Sequence, residues 1–554
     1  METIIQTLYE SASGFAQSLG YGLSPTRFEH TLARFLGLLT VYFGIGIAAT
    51  IYRTQLSRFI QLAYKAFQSE LQRLKPMFHT FLRSNTPLHN RLLFFILFFS
   101  LGIRFYYLSQ PIREDEANTF LLYVLKPFYV SLSNYSFANN HILHSFLVKL
   151  SSSVFGYSEW ALRLPAVFFG SLIPLAGYLV SRRFLHSHAA LLCVSFLGGS
   201  SYLIEYSSNA RGYSLLCLCV IVLMGLCLSL LSAPRLGKWV SFFLISVLGV
   251  YTMPLMTLPI LLFSLWIGLS FVLKKTYSPL NSLFMTLVCI DLACFVLYTP
   301  VFLVTGFENV IQKLRSYPVY NEYASDFFST ASYQLIDFLH LLSSVWLREF
   351  SAVPILLLAF FAGLYTSTRL NRHLSHFLVT CLFFFLALFF SGQLYGFLRK
   401  WLFFLPIFYF FLSAGIATCL RSKWTHKLRL VEILASIVFI YLIFTGVQKN
   451  LVQQSPETGV LPDAKAITAY LSDKIKPDDR LIAPLHAPLQ YYFFRSDLPL
   501  TVFRQQQQQQ QLGITYLVLD HRLTLDHLFY RRYKENAALL LKRFSKASLY
   551  QITH

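Results

Sequence analysis

Acidic residues are scarce in this chain. Asp and Glu number 25 among 554 residues, against 46 Lys and Arg, and charged residues make up only 13%. A soluble globule would carry about a quarter charged residues, so a water-soluble fold class is excluded. No segment interleaves basic residues with base-stacking aromatics in a polar context. The net charge of +21 therefore does not read as a nucleic-acid surface. Cysteine with metal-ligand spacing is missing, and so is cysteine in loops. Cys193, Cys217, Cys219, Cys227, Cys289, Cys294, Cys381 and Cys419 all fall inside apolar runs. They read as small core hydrophobes rather than a disulfide framework. The opening stretch METIIQTLYESASGFAQSLG lacks a basic segment followed by an apolar one, so no cleavable signal is expected.

Apolar sequence is what the chain has in abundance. It is 55% hydrophobic and 17% aromatic, with 55 phenylalanines. Apolar runs of about 17 to 22 residues alternate with short charged loops, the pattern of a multi-span helical membrane protein. About twelve spans are expected, at 33–52, 91–109, 162–181, 188–205, 211–232, 238–253, 255–273, 283–304, 352–368, 374–391, 402–420 and 428–446. The segment 53–91 is basic, with Arg53, Arg58, Lys65, Arg73, Lys75, Arg83 and Arg91. Every second loop after it is basic again: Arg182-Arg183, Arg235 with Lys238, Lys274-Lys275, Arg369 with Arg372, then Arg421, Lys423, Lys427 and Arg429. The positive-inside rule assigns these to the cytoplasm. The loop 110–161, the EYSSN junction, the MPLM turn, the loop 305–351, the SGQLYGFLRK loop and the tail after about 447 then face outward.

The densest acidic cluster, Glu114, Asp115 and Glu116 in QPIREDEANTF, lies on that outer face. Four cations that the rule does not predict lie there too: Arg163, Arg211, Arg399 and Lys400, each at the outer end of a span. Anion binding, lipid head groups and local ion pairs are the readings for such cations. HILHSFLVKLSSSVFG spaces Ile142, Phe146, Leu150 and Val154 as an amphipathic helix in the outer interface. Past about residue 447, SPETGVLPDAKAITAYLSDKIKPDDRLIAPL reads as helix, turn and strand, and ITYLVLDHRL as a second strand. The run Gln505 to Gln511 reads as a mobile low-complexity loop. Asp291, within a span, is expected to be satisfied by a neighbouring helix.

Several stretches in order carry a resemblance: REDEANTF, NNHILHSFL, FGYSEWALRLPAVFFGSL, EYSSNARGYSL and LRKWLFFLPIFYFFLSAGI. From about residue 90 onward the chain resembles a GT-C glycosyltransferase of the family 39 type. That group includes protein mannosyltransferases, aminoarabinose transferases of lipid A and Rgt-type lipopolysaccharide transferases. Many relatives have His followed by prolines before the interfacial helix; here the stretch is Asn139-Asn140-His141, with no proline. The resemblance implies an all-α polytopic GT-C fold with an interfacial helix in the first large outer loop, plus a small C-terminal extracytoplasmic α/β domain. The expected layout is an N-terminal extension over 1–85, a transmembrane catalytic domain over 86–446 and the outer domain over 447–554.

The resemblance also implies a polyprenyl-phosphate sugar as donor and an extracytoplasmic acceptor, namely lipid A, another envelope glycan or protein. Transfer proceeds by inverting displacement with a carboxylate base, in a bacterial inner membrane with the site facing the periplasm. Asp115 is the expected base. Glu116 orients it or binds acceptor, and Glu114 is a solvated neighbour. Arg211 and Arg399 are expected to hold the donor phosphate, with Lys400 adding charge or snorkelling to lipid. His141, Glu205 and Arg163 are the candidates for further substrate contacts. Structural alternatives pair Arg163 with Glu159 and Glu205 with Arg211. The acids admit a divalent cation such as Mg2+ or Mn2+, although no ligand set is visible. The rival readings are a transporter or flippase of lipid-linked glycans and a non-enzymatic membrane scaffold.

Overall fold

Backbone N–H and C=O groups have no water to bond in lipid, so apolar runs of span length must become helices. The computed structural model describes residues 6–7, 9–11, 13, 25–135, 139–307, 336, 340–351, 353–370, 372–390, 398–423, 428–453, 458–503, 513–521 and 538–552. Most of the expected outer loop 305–351 and the Gln505–Gln511 run lie outside these residues. Among the described residues, eight helices are long and apolar enough to cross a membrane: Phe28–Ile51, Pro87–Ser109, Glu159–Phe184, Tyr213–Ser232, Pro254–Leu273, Ser278–Val304, Arg399–Leu420 and Leu430–Gln448. A ninth is the pair Ser187–Gly199 and Ser201–Ser207, bent by 56°. Three shorter apolar helices, Leu236–Thr252, Val353–Arg369 and His373–Leu388, fall where other spans were expected.

The spans are not equivalent. Of the apolar window of Tyr213–Ser232, 78% is buried, and the same holds for Arg399–Leu420, whereas Phe28–Ile51 buries none. The first two are central and the last is peripheral. Arg211 and Arg399 therefore stand at the starts of the two most enclosed of the eight unbroken spans. Asp291 departs from expectation. It is exposed on Ser278–Val304, and its side chain makes no hydrogen bond or ion pair among the described residues.

The break at Ser200 leaves helix-end groups that need partners. Arg104 Nη1 donates to the Gly198 carbonyl at 3.2 Å and Nη2 to that of Leu197 at 3.3 Å. A cation thus meets the negative end of the first half-helix. Glu349 Oε1 accepts from Ser201 N at 2.6 Å, which puts an anion at the positive end of the second. Tyr409 donates to Ser200 Oγ at 3.2 Å and closes the gap.

The basic helix Arg53–Ser84 buries no residue fully and lies along the start of Leu236–Thr252. A Cβ on Gly237 would strike the Ala66 carbonyl oxygen, so the two backbones touch there. At the opposite end, Ile142–Phe155 forms the expected helix of the outer loop.

The tail holds helices Ala464–Leu471 and Ala487–Arg495 and a four-stranded sheet. Its strands are β1 (Arg480–Ile482), β2 (Thr515–Asp520), β3 (Ala538–Arg543) and β4 (Ala547–Ile552), in the order β1-β2-β4-β3. β1 runs parallel to β2, and β4 is antiparallel to both β2 and β3. Every residue of β2 is buried, as a central strand requires. Asp463 accepts from Ser545 Oγ at 2.8 Å and Lys546 N at 2.6 Å, which clamps the β3–β4 turn.

The tail does not hang free. Its Leu461, Ala464, Leu489, Tyr491, Phe493 and Val518 share one apolar cluster with Ile112, Ala117, Phe120, Val148 and Leu162 of the outer loop and its flanking span. Glu114 N donates to Gly459 O at 2.8 Å, and Arg495 pairs with Glu159 at 2.7 Å. The acidic stretch and the tail must therefore share a membrane face. In a cysteine-free background, Lys126→Cys and Asp473→Cys should react together with an impermeant thiol reagent in intact cells. Thr276→Cys, beside Lys274-Lys275, should be protected. Opposite labelling of positions 126 and 473 would contradict the shared core.

Candidate active site

The three acids open a short helix, Glu114–Thr119, where negative side chains suit the N-terminal dipole. Their environments differ sharply. Glu116 is 1% exposed and both of its oxygens are saturated. Oε1 accepts from Arg163 Nε at 2.8 Å and Ala210 N at 2.6 Å. Oε2 accepts from Arg163 Nη2 at 2.6 Å and Arg113 N at 3.0 Å. Burial would raise its pKa, but Arg163, then Arg113 and the Ala210 N–H, hold it below the usual carboxylate range. A carboxylate with four donors has no lone pair left for a substrate. Of the two roles expected for Glu116, its saturation leaves no room for direct contact with the acceptor and is compatible with orienting its neighbour.

Arg163 is equally committed. Besides Glu116 it donates from Nη1 to the carbonyls of Leu108 at 2.7 Å and Gln110 at 2.6 Å, and from Nη2 to that of Pro111 at 3.0 Å. All five guanidinium N–H groups are used within the protein, so none is left to donate to a substrate in this arrangement. The alternative pairing with Glu159 does not form either, because Glu159 meets Arg495. Glu205 likewise leaves the substrate set. It is fully buried between Arg113 Nη1 and Arg348 Nη2, each at 3.1 Å, and does not pair with Arg211.

Glu114 is half-buried rather than solvated. Burial pushes its carboxyl up to about 7, against hydrogen bonds from Asn118 and the Ala487 N–H, with the Asp115 charge adding to the rise. Asp115 is the member turned to the open side, with its side chain 19% exposed. Its Oδ2 is bonded to Nη1 of Arg399, which arrives from the 3-10 turn Leu398–Phe404. Oδ1 meets no partner among the described residues.

Beside this pair lies a cationic corner. Arg211 Nη1 donates to Thr119 Oγ1 at 2.8 Å and to the Asn139 carbonyl at 2.6 Å. Its Nη2 lies 3.1 Å from Nε2 of His141. The backbone N–H of Gly212 donates to His141 Nδ1 at 2.8 Å, which assigns the ring proton to Nε2. Two donors then stand side by side. Burial, with Arg211, His144 and Arg399 nearby, keeps His141 neutral, well below its usual pKa. A Cβ at Gly212 would press on His141 and Thr252, so only glycine lets the backbone come this close. Lys400 covers the Trp401 ring, with Nζ 5.2 Å from its centroid.

The geometry thus joins Asp115, Arg399, Arg211 and His141 and withdraws Glu116, Arg163 and Glu205 into the scaffold. Sequence reasoning missed Arg113, Arg348 and His144. His144 is 1% exposed, near Arg211, and neither of its ring nitrogens has a hydrogen-bond partner among the described residues. Arg113 and Arg348 carried a usable signal, since both are cations in outer segments, the same anomaly that marked Arg211. His144 lies one helical turn from His141 and carried no signal beyond that spacing. Among the described residues, the one trio of His, Cys, Asp or Glu side chains close enough to share a metal ion lies away from these acids.

Two outcomes follow from the carboxylates. Glu116→Gln or Arg163→Met alone should cost about 3–5 kcal/mol, because each strands a buried charge. The double variant should cost less than the sum, measured as thermal unfolding in detergent; simple additivity would mean that the pair is not coupled. For Glu114, the folded state keeps a proton that the unfolded chain loses between its ordinary value of 4.5 and about 7. Its contribution is therefore present at low pH and lost as pH rises through about 7. Glu114→Gln should flatten this dependence and leave the variant more stable than wild type above that range, with about 1.4 kcal/mol per pKa unit as the ceiling.

Residues 139–298, which include His141, Arg163, Glu205 and Arg211, match the family model of dolichyl-phosphate-mannose-protein mannosyltransferases. No curated protein matches by sequence. ArnT from Cupriavidus metallidurans in the apo state superposes with a TM-score of 0.55 at 12% identity, covering 82% of this chain and 97% of that one. The same protein bound to undecaprenyl phosphate gives 0.47 at 13% identity, with the same coverage. The Archaeoglobus fulgidus oligosaccharyltransferase tethered to an acceptor peptide gives 0.44 at 12%, covering 74% of this chain and 63% of that one. At these identities the likeness is one of fold. A mannosyltransferase family match within an architecture like that of ArnT makes this chain a membrane protein of the GT-C glycosyltransferase fold.

Proposed function

We propose that the chain transfers a sugar from a polyprenyl-phosphate donor to an acceptor outside the cytoplasm, with inversion. The observation that carries the reading is the meeting of Asp115 with Arg399, distant in sequence, beside Arg211 and His141. One group can take a proton, and the others can receive an anion. The donor class is supported by the matched family, which is named for a dolichyl-phosphate sugar. The outward orientation is supported by the basic loops on the opposite face. A bacterial inner membrane with the site in the periplasm fits both, and the acceptor would be an envelope lipid, glycan or protein.

In this mechanism Asp115 takes the proton from the acceptor hydroxyl or amine. The acceptor atom bonds to the anomeric carbon as the bond from that carbon to the phosphate oxygen breaks on the far side. The lipid phosphate leaves with the electron pair and is received by Arg211, Arg399 and the His141 Nε2–H. Arginine suits this role because its fork bonds two phosphoryl oxygens at once. Arg399 also links the two halves of the reaction. It bonds Asp115 here and would turn to the donor phosphate in the complex, which would free the carboxylate oxygen for the acceptor.

One observation favours the transporter reading. The broken span places buried charges within the helical bundle, as transporters do. Its half-helix ends are already capped by Arg104 and Glu349, which leaves them no obvious call for a travelling ligand.

Purified protein given a polyprenyl-phosphate sugar and an acceptor should release free lipid phosphate; a transporter or scaffold would not. Asp115→Asn should lower turnover by about 10²–10⁴-fold while the chain stays folded, since the amide cannot accept the proton. Arg399→Ala should lower kcat/KM by roughly ten- to a hundredfold, the worth of a charge-assisted contact, and Arg399→Lys should lose less. Near-normal turnover by Asp115→Asn would remove it as the base.

A further inference from the structure

We propose that the chain holds a divalent transition-metal ion, of the Zn2+ class, between His89, His188 and Glu432, on the face opposite Asp115. The three residues lie in the opening turns of Pro87–Tyr106, Ser187–Gly199 and Leu428–Gln448. His89 Nδ1 is 3.2 Å and His188 Nδ1 3.7 Å from the same oxygen, Glu432 Oε1. All three ligand atoms lie within 4.8 Å of one another. Tetrahedral zinc with ligands near 2.0–2.1 Å needs donor atoms about 3.3 Å apart. The two imidazole–carboxylate separations bracket that value, and the imidazole pair, within 4.8 Å, would have to draw together by at most about 1.5 Å to close the set.

The chemistry of the set fits the ion. Two imidazoles and one carboxylate form a recognised zinc donor set, which leaves a fourth position for water. Metal-bound histidines usually engage a partner through their other ring nitrogen. His89 Nε2 does so, 3.3 Å from the Tyr178 hydroxyl, which itself accepts from Asn85 Nδ2 at 2.7 Å. The Thr86 hydroxyl lies 3.4 Å from Glu432 Oε1 and 3.5 Å from Oε2, steadying the carboxylate. Burial shapes an entry path. His89 and Glu432 are 1% and 3% exposed, whereas His188 is 18% exposed and forms the open side. Arg182, joined to the site through Asn85 Oδ1 at 3.2 Å, is the cation nearby. It opposes a dication, so two neutral imidazoles with a single carboxylate must supply the affinity. An ion here would pin the inner ends of three spans and take no part in chemistry at the outer face.

The test uses the full-length chain without a polyhistidine tag, stripped with chelator in detergent and titrated with Co2+. One Co2+ per chain should give the visible band of a tetrahedral site, and Zn2+ should displace it. His188→Ala and Glu432→Gln should each abolish the band. Tyr178→Phe should keep it with affinity lowered about 10–100-fold. His376→Ala, a histidine on the same face, should leave it unchanged. His188 is partly exposed at a helix start, so its alanine variant decides the matter even if Glu432→Gln fails to fold. Absence of the band in the folded wild-type chain would overturn the proposal. So would a band that survives His188→Ala.

Discussion

The face that carries the acidic helix is organised around one buried ion pair, Glu116 with Arg163. Such a pair contributes little net stability, because desolvating two charges offsets most of their attraction. What it supplies is direction. Arg163 gathers the carbonyls of Leu108, Gln110 and Pro111 while gripping Glu116, and so shapes the turn that leads from a span into the acidic helix. Ala210, next to Arg211, is tied to the same carboxylate. Neighbouring residues on a helix point about 100° apart. With Glu116 locked inward, Asp115 is turned toward Arg399 and the open side. A saturated carboxylate and a half-open one are thus consecutive residues with opposite fates.

A second network supports the first. Glu205 sits between Arg113 and Arg348, and Arg348 also donates to Ser201 Oγ at 2.7 Å. The kinked span, the outer segment 340–351 and the start of the acidic helix are joined through these three side chains. Arg113 reaches further, to Thr458 at 2.6 Å and the Val452 carbonyl, which anchors the exit from the last span. Buried charge here serves to align elements that apolar contacts alone would let slide.

Much of this was legible in the sequence. Each expected span coincides with an apolar helix, because hydropathy is a local property that the bilayer reads directly. The same holds for the helix Ile142–Phe155 and for β1 and β2. Arg211 and Arg399 stood out because cations that the positive-inside rule does not predict are visible without a fold, and Asp115 stood out through the acidic motif of the resemblance. The partners of each charge were not legible. Arg163 could as well have met Glu159, four residues before it, and only packing of the tail takes Glu159 to Arg495. Glu116 looked like its neighbour Asp115, and nothing but three-dimensional saturation separates them. The β3–β4 hairpin was missed because its ALLLKR strand alternates poorly and is mostly exposed.

The apolar cluster shared by the tail and the acidic loop bears on when the protein becomes competent. The chain is made from its N-terminus, so Asp115 emerges long before Gly459, Tyr491 or Val518 exist. Until those residues have been made and have joined the outer face, Phe120 and Ile112 lack their cover and the acidic helix lacks its brace. A half-made chain would carry the acid without the geometry. Synthesis itself thereby delays this corner until every span is in place, so that the surroundings of Asp115 are completed last.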